Sequence, residues 1–472
     1  MKWSDEQMYA RFQESDATCN GQFWVGVLTT GIYCLPSCHA RKALLKNVRF
    51  FPSVQAAATA NLRPCRQCHP DDFAKGLDPL LMQIETLARE ARQDPGRFPD
   101  PSSLVRRSGF GPTRLFELFR QHYQMTPGEF LLRCRLAAAQ KRLIDDRATI
   151  SETAESAGYR SLSTFHEQFR TRTGLSPAAY RRLNDEATFT LELPRDYDLG
   201  CLKKALSRDA HSATERWEND LFSAVVRTSN GPCLLRLKLH SRTIEVLASR
   251  GESVELHRLA ARLLGFEQDP RPFEKLVAKL RMPNLIAGRK GLRIAQTPSV
   301  FDGLIWAIAG QHINFSFAGM LKRRLTQLAG EPFHEDLFAP PTPEQVAALA
   351  PTRLLKAQFS RQKAECLIEV SKKIVSGELN LNGLSEMSAT RAMRTLLSLK
   401  GLGPWSVNYV MMRSLGFLDC LPVGDTGLAS GLERLFEVER PDPKTAKKLM
   451  APFSPYRSLA TAHLWRSAHE QP

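Results

Sequence analysis

Four closely spaced cysteines are the strongest chemical signal in the sequence. Three residues separate Cys34 from Cys38, and two residues separate Cys65 from Cys68. Soft thiolates in a tetrahedral set suit Zn²⁺. The other six cysteines are scattered singly, which favours one metal site over the disulfide framework of a secreted protein. On spacing alone, a purely structural zinc knuckle accounts for the pattern, and reactivity needs further support.

A second constellation lies in residues 399–425. Apolar residues at helical spacing precede and follow Gly401 and Gly403, so the stretch predicts a helix, a glycine turn and a second helix. Glycines let the backbone approach a ligand closely, and the N-terminus of a helix attracts an anion such as phosphate. A tight connection between two helices would explain the same glycines. Asp425, about twenty residues further on, either caps the next helix or acts chemically, and both roles are compatible.

Composition indicates a partner for this chemistry. The chain has 472 residues, enough for about three or more domains, and a formal net charge of +16. Such a positive excess points to a polyanion, with nucleic acid as the leading candidate. No apolar run is long enough to span a bilayer, and residues 1–13 lack the core of a signal peptide, so we expect no membrane partner and a cytoplasmic location.

The elements that must position these residues are mostly helical. Two helix-turn-helix patterns are predicted, at residues 104–119 with Gly109 in the turn and at 150–170 with Gly158 in the turn. A long amphipathic helix, 127–144, separates them. Strand signals follow at 189–193, 221–226, 233–239 and 243–247, and from residue 256 the chain is helical again.

These signals predict a multidomain α+β protein that is mostly α. The predicted parts are a small zinc domain (residues 1–76), a helical domain with two helix-turn-helix motifs (77–186), a small α+β subdomain (187–270) and an all-α domain containing the helix-hairpin-helix (271–472).

The text around the cysteines, residues 29–41, 47–48 and 63–70, is closely similar to the N-terminal domain of the Ada protein of the bacterial adaptive response. The resemblance implies that Cys34 is both a zinc ligand and the acceptor of a methyl group from DNA methylphosphotriesters. One zinc ion would then be structural and activating, because it holds the acceptor as a thiolate. Arg41 is a predicted DNA contact, whereas Leu35 stands where relatives carry a basic residue.

Residues 165–169, 174–177 and Tyr180 resemble the DNA-binding domain of the AraC family. The resemblance implies that residues 161–170 form a reading helix, although a helix-turn-helix pair can also be a scaffold. The predicted contacts to bases or phosphates are Arg114, Arg160, Ser161, Ser163, Thr164 and His166.

The hairpin followed by Asp425 resembles the helix-hairpin-helix DNA glycosylases, and residues 187–270 faintly resemble the N-terminal subdomain of AlkA-type 3-methyladenine glycosylases. The resemblance makes Asp425 the catalytic carboxylate and gives Gly401 and Gly403 to DNA binding. Trp405 stands where bifunctional members carry a nucleophilic Lys, which predicts hydrolysis without strand cleavage.

Aromatic residues complete the predicted glycosylase site. Trp405, Tyr409 and Trp465 form its base pocket, since a π face attracts a cationic alkylated base, although ordinary core packing would also explain them. By position His312 fills the gap left by a flipped base, where an apolar residue is expected, unless it is a helix-end residue facing solvent.

The combined expectation is a monomeric alkylation-response protein that binds alkylated and promoter double-stranded DNA, engages RNA polymerase and excises alkylpurines. No Pro-Cys-His-Arg acceptor motif of O6-methylguanine methyltransferases is present. One alternative is a transcription activator whose C-terminal domain binds damage without excision. Another is that the four cysteines are only structural.

Overall fold

The computed structural model describes residues 3–16, 19–38, 40–76, 78–145, 148–248 and 251–467. The chain divides into two compact units, Met1–Arg89 and Glu90–Pro472. The four clustered cysteines lie in the first unit. Both helix-turn-helix motifs, the larger sheet and the helix-hairpin-helix lie in the second.

The first unit is built on a small mixed sheet in the order β3-β1-β2-β4, in which β4 is parallel to β2 and the other pairs are antiparallel. Its core includes the buried side chains of Phe12, Phe23, Val25 and Tyr33. The elements are α1 (Asp5–Gln13), β1 (Trp24–Val27), β2 (Ile32–Cys34), β3 (Val48–Phe51), α2 (Val54–Thr59), β4 (Arg63–Pro64) and α3 (Pro70–Ala74), and the division between units falls within α4 (Pro79–Gln93).

Two helix-turn-helix motifs open the second unit, as predicted. They are formed by α5 with α6 and by α8 with α9, and α7 connects them. Gly109 and Gly158 lie in the two turns, with φ of +72° and +89°. The bounds are α5 (Pro101–Ser108), α6 (Pro112–Tyr123), α7 (Pro127–Asp145), α8 (Ile150–Ser156), α9 (Leu162–Thr173) and α10 (Pro177–Arg181).

An antiparallel five-stranded sheet follows, in the order β5-β9-β8-β7-β6. Alternate residues of β5 are buried, as expected for a sheet with one face on a core. The elements are β5 (Thr188–Glu192), α11 (Leu199–Leu206), β6 (Glu215–Glu218), β7 (Leu221–Thr228), β8 (Gly231–Leu239), β9 (Thr243–Leu247) and α12 (Ser253–Leu264).

This sheet shares one hydrophobic core with the second helix-turn-helix. Phe165, Phe169 and Tyr180 from the helices join Phe189 and Phe266 in a continuous buried cluster. His257 of α12 also lies in that region, where its Nε2 is 2.8 Å from the carbonyl oxygen of Thr173. Helix α9 of this motif therefore packs through Phe165 and Phe169 against the α+β part of the unit.

The remainder is helical as predicted, except for the short antiparallel hairpin β10–β11. That hairpin packs against the larger sheet because Leu337 and Ala339 cover Val225 and Leu234. The elements are α13 (Arg271–Lys279), α14 (Val300–Ala309), α15 (Phe315–Ala329), β10 (Glu331–His334), β11 (Leu337–Ala339), α16 (Pro343–Ala347), α17 (Pro351–Lys356), α18 (Arg361–Val375), α19 (Leu381–Leu384), α20 (Ala389–Leu397), α21 (Pro404–Arg413), α22 (Thr426–Phe436), α23 (Pro443–Met450) and α24 (Arg457–Ser467).

Helix α14 lies at the centre of this helical part. Eight of its ten residues are buried, which explains its apolar character on all sides. It packs against α21, the outgoing helix of the hairpin. Among the described residues, none of the helices has both the length and the apolar character needed to cross a bilayer.

Candidate functional site

The structure brings the four clustered cysteines together. The sulfur atoms of Cys34, Cys38, Cys65 and Cys68 all lie within 4.8 Å of one another. Four thiolates about 2.3 Å from a tetrahedral ion would be about 3.8 Å apart, so the cluster has the dimensions of a site for one Zn²⁺. The zinc prediction is confirmed.

Two strand ends create this cluster. Cys34 ends β2 and Cys65 follows β4, and these parallel strands are joined where the backbone N–H of Cys65 donates to the carbonyl of Tyr33 at 3.0 Å. The second cysteine of each pair comes from the turn that follows. The backbone N–H of Leu35 donates to Sγ of Cys68 at 3.3 Å, a contact that stabilises a thiolate.

Electrostatics also favour a cation at the cluster. Hydrogen bonding to Cys38 and Cys68, followed by burial, raises the pKa of the Cys34 thiol, because neighbouring sulfurs compete for negative charge. A divalent cation offsets that repulsion. Cys34 is only 5% exposed, and Cys68 is the most accessible of the four. Lys42 also contacts the cluster, since its ammonium group donates to the carbonyl of Cys38, and the cysteine spacing gave no indication of this contact.

The predicted DNA contacts of the helix-turn-helix motifs lie at the surface, with individual differences. Ser163 and Thr164 are exposed on α9, and His166 is half-buried with its ring edge on Phe165. Ser161 is exposed and caps α9, since its Oγ accepts from the backbone N–H of Thr164 at 3.3 Å. Its role is thus at least partly structural.

The predicted arginines are accessible and partly paired. Arg160 forms an ion pair with Asp100 at 3.2 Å, and Arg114 pairs with Glu117 at 3.2 Å. Exposed pairs of this kind contribute little stability, so either arginine can exchange its carboxylate for a phosphate at small cost. Arg41, in the first unit, is exposed.

The helix-hairpin-helix is formed as predicted by α20, a glycine turn and α21. Gly401 has a φ of +92°, and a Cβ at this position would lie 2.8 Å from the sulfur of Cys366. Gly403 precedes α21, and a Cβ there would meet nothing within 4 Å. Gln311 locks the turn by donating to the carbonyl of Gly401 at 2.8 Å and to Oγ of Ser406 at 3.0 Å.

Asp425 has the capping role that the sequence pattern left open, and its position leaves it accessible to a ligand. It caps α22, because Oδ1 accepts from the backbone N–H of Leu428 at 2.8 Å. The same oxygen accepts from Nε1 of Trp465 at 2.7 Å, and Oδ2 accepts from Nε1 of Trp405 at 3.0 Å. The carboxylate is half-buried, not fully buried, so it is both fixed by three donors and open to a ligand.

Three aromatic rings form one continuous wall beside this carboxylate. The Trp405 and Tyr409 rings are stacked with centroids 5.6 Å apart, and the Tyr409 and Trp465 rings lie 6.0 Å apart. Tyr409 is buried, whereas both tryptophans are half-buried. Core packing therefore explains Tyr409, but it does not explain two indoles turned towards an accessible carboxylate.

His312 lies between α14 and α15 in the left-handed region, with a φ of +55°, and it is exposed. Its neighbour Gln311 is bonded to the hairpin, so the backbone of His312 is held beside the hairpin. An exposed residue here suits insertion into a duplex. The alternative interpretation, a solvent-facing residue at a helix end, describes the same position equally well.

The carboxylate, aromatic wall and hairpin open into one cleft with a volume of about 2090 Å³. Drug-sized ligands occupy pockets of roughly 300 to 1,000 Å³, so the cleft suits a macromolecular ligand. Its charged lining contains more basic than acidic side chains: Arg120, Arg208, Arg394, Lys447, Arg457, Asp419 and Asp425.

Arg208 is a cleft residue that the sequence did not single out. Its guanidinium lies 4.2 Å from the centroid of the Phe315 ring. Burial lowers its pKa to about 10, so it remains charged at neutral pH. It reaches the cleft from the segment between α11 and β6, a long-range contact without a local sequence signal.

Comparison with known proteins agrees with these three arrangements. Residues 7–71 match the metal binding domain of Ada, residues 104–183 match a helix-turn-helix domain, and residues 305–455 match the HhH-GPD superfamily of base excision DNA repair proteins. The chain thus combines an Ada-type metal-binding domain, an AraC-type helix-turn-helix domain and an HhH-GPD domain, which confirms the resemblances seen in the motifs.

Relatives cover the chain in whole and in part. The probable bifunctional transcriptional activator/DNA repair enzyme AlkA of Mycobacterium tuberculosis is 27% identical over 98% of this chain and 96% of its own length. A DNA-3-methyladenine glycosylase of Bacillus subtilis is 27% identical over 61% of this chain and 98% of its own. A 3-methyladenine DNA glycosylase from Archaeoglobus fulgidus shares the fold, with a TM-score of 0.54 and 22% identity over 59% of this chain and 98% of that one.

Proposed function

We propose that this protein senses and repairs alkylated DNA, with base excision at the Asp425 cleft and methyl transfer to Cys34. The observation that carries the proposal is the Asp425 carboxylate, fixed by two indole N–H groups at the edge of an aromatic wall. The relatives named as a bifunctional activator and repair enzyme and as 3-methyladenine glycosylases support it.

Excision breaks the N-glycosidic bond of a base that has left the duplex. Positive charge develops on the sugar as the bond breaks, and the ionised Asp425 stabilises that charge and orients the attacking water. The electron pair of the broken bond leaves with the base. An alkylated purine is electron-poor or cationic, so the faces of Trp405 and Tyr409 attract it.

The reaction is hydrolytic and leaves the DNA strand intact. Trp405 has no amine that could form an imine with the sugar, and its N–H donates to the carboxylate. Gly401 and Gly403 let the hairpin backbone approach a phosphate, while the N-terminus of α21 faces the anion. His312, which follows the hairpin-bonded Gln311, enters the duplex and fills the space of the flipped base.

Methyl transfer takes place at the cluster of four cysteines. The Sγ of Cys34 attacks the methyl carbon of a phosphotriester, a sulfur–carbon bond forms, and the carbon–oxygen bond breaks with its electron pair left on the phosphate. Cys34, Cys38, Cys65 and Cys68 would hold the zinc ion, which would keep the Cys34 acceptor deprotonated at neutral pH. Methylation removes about one negative charge from the site, which reduces its repulsion from DNA and strengthens promoter binding.

Regulation completes the proposal. The helix-turn-helix motifs bind promoter DNA through Arg114, Arg160, Ser163, Thr164 and His166, and Arg41 contacts DNA from the zinc domain. The protein acts as a cytoplasmic monomer that engages RNA polymerase. Its four domains span residues 1–76, 77–186, 187–270 and 271–472.

Two assays on one preparation test this function. The first measures free 3-methyladenine released from alkylated DNA, and the second measures promoter binding before and after exposure to methylphosphotriester DNA. The proposal expects base release and tighter promoter binding after exposure. Promoter binding without any base release would favour an activator that only recognises damage.

A further inference from the structure

The reading helix of the first helix-turn-helix is docked on the helix-hairpin-helix part of the molecule. The side chain of Gln124, at the C-terminal end of α6, accepts from the backbone N–H of Asp419 at 2.8 Å. The imidazole Nδ1 of His122 lies 3.0 Å from Oγ1 of Thr390, in the first turn of α20. His122 and the C-cap residue Gln124 are both at least nine-tenths buried, so this is a packed interface.

A third contact reaches the segment before α24. Arg120 of α6 donates to the hydroxyl of Tyr456 at 3.3 Å, and its guanidinium lies 5.4 Å from the centroid of that ring. These contacts fasten only the C-terminal end of α6. In its N-terminal half, Pro112, Thr113 and Phe116 are exposed.

The docking brings α6 to the edge of the catalytic cleft. Arg120, Gln121 and Gln124 line the cleft together with the glycines of the hairpin and Asp425. Gln121 is exposed, and no side-chain bond of the docking interface involves it. One helix therefore has a fixed end that lines the same cleft as the carboxylate and an exposed end suited to a DNA groove.

We propose that α6 forms one wall of the groove that holds damaged duplex DNA, with Gln121 facing its phosphate backbone. This inference rests on the proposed function, which makes a damaged duplex the ligand of the cleft. The excess of basic side chains around the cleft, Arg120 among them, complements phosphate. A promoter read by α6 and a lesion held in the cleft then compete for one helix.

Charge substitutions at Gln121 test the groove without disturbing the docking contacts. The probe is a short duplex containing a tetrahydrofuran abasic-site analogue, and affinity is measured by fluorescence anisotropy with the full chain. Q121E is expected to weaken binding about fivefold and Q121K to strengthen it about as much, since each places a unit charge near phosphate. Q121K should also steepen the fall of log affinity with log salt concentration by about the amount expected for one added phosphate contact.

The matched control is Q327E, which changes net charge equally. Gln327 is exposed on α15 and lies outside the lining of the cleft. The inference predicts wild-type affinity for this control. Wild-type affinity in both Gln121 variants, or equal weakening in Q121E and Q327E, would overturn it.

Base release is measured separately on the same proteins. If the Gln121 series shifts binding but wild type releases no base, excision is refuted and the groove assignment stands. If the wild-type protein releases base but the Gln121 variants bind the duplex with wild-type affinity, only the groove assignment fails.

Discussion

Replacing Asp425 by Asn separates the structural role of this residue from its chemical role. Oδ1 receives Leu428 N–H and Trp465 Nε1–H, while Oδ2 receives Trp405 Nε1–H. An asparagine oxygen in the Oδ1 position keeps the first two bonds, and Asn caps a helix as well as Asp does. Its amide nitrogen then faces the Trp405 N–H, donor against donor. We expect a stability loss of about 1 to 3 kcal/mol.

The catalytic loss should be larger than this structural loss. In the proposed mechanism, the substitution removes the negative charge that stabilises the positive charge developing on the sugar. Loss of one preorganised electrostatic group costs about 10²- to 10³-fold in rate, or about 2.7 to 4 kcal/mol. The assay is single-turnover release of 3-methyladenine at a temperature where both proteins are folded. Binding of an abasic-analogue duplex should change little, because the hairpin is untouched.

Asp442→Asn is the control for this experiment. Asp442 caps α23 through a bond from the backbone N–H of Thr445 at 2.7 Å, so the variant makes the same exchange at another helix cap. It should release base at the wild-type rate. Release by Asp425→Asn at the wild-type rate, or an equal loss in both variants, would refute the assignment of the catalytic carboxylate.

Three further predictions concern the hairpin, a buried histidine and the zinc cluster. Gly401→Ala should lower the free energy of unfolding by about 1 to 3 kcal/mol, because residue 401 has a positive φ and the new Cβ would lie 2.8 Å from Sγ of Cys366. Gly403→Ala should leave urea unfolding unchanged, because a Cβ there meets no atom within 4 Å. Burial lowers the pKa of His257 to about 4, below the unfolded value, so the unfolded chain binds the proton first as pH falls. As pH falls from about 6.5 to about 4, this group should therefore lower the free energy of unfolding by roughly 3 kcal/mol. Urea unfolding of His257→Phe over the same pH range should show a smaller decrease. After incubation with methylphosphotriester DNA, peptide mass spectrometry should find the methyl group on Cys34; a methyl on the more exposed Cys68 would show that access, not position in the motif, selects the acceptor.

The features that the sequence predicted are those with a local signal. Cysteine spacing identified the zinc cluster because strand ends bring each close pair into one turn. The glycines at 401 and 403 identified the hairpin, since helical periodicity stops and restarts around them. Trp405 and Asp425 are only twenty positions apart, separated by the rest of α21 and the loop that follows it, so their proximity agrees with the motif.

The features that the sequence missed depend on long-range packing. Gln311 bonds to a turn ninety residues away, and Arg208 enters the cleft from the α+β part of the unit. Gln124 meets Asp419 across 295 residues. A polar residue carries no periodic signature of such a partner, so only the folded chain reveals that α6 and the hairpin border one cleft.

The most direct test of excision at the Asp425 cleft uses a duplex with one alkylated base and the wild-type protein. Borohydride is added during the reaction, and free base, strand length and covalent adduct are all measured. The structure predicts free base, a strand that stays intact until alkali is added, and no adduct, because Trp405 cannot form an imine. A borohydride-trapped adduct, or the absence of free base, would contradict hydrolytic excision.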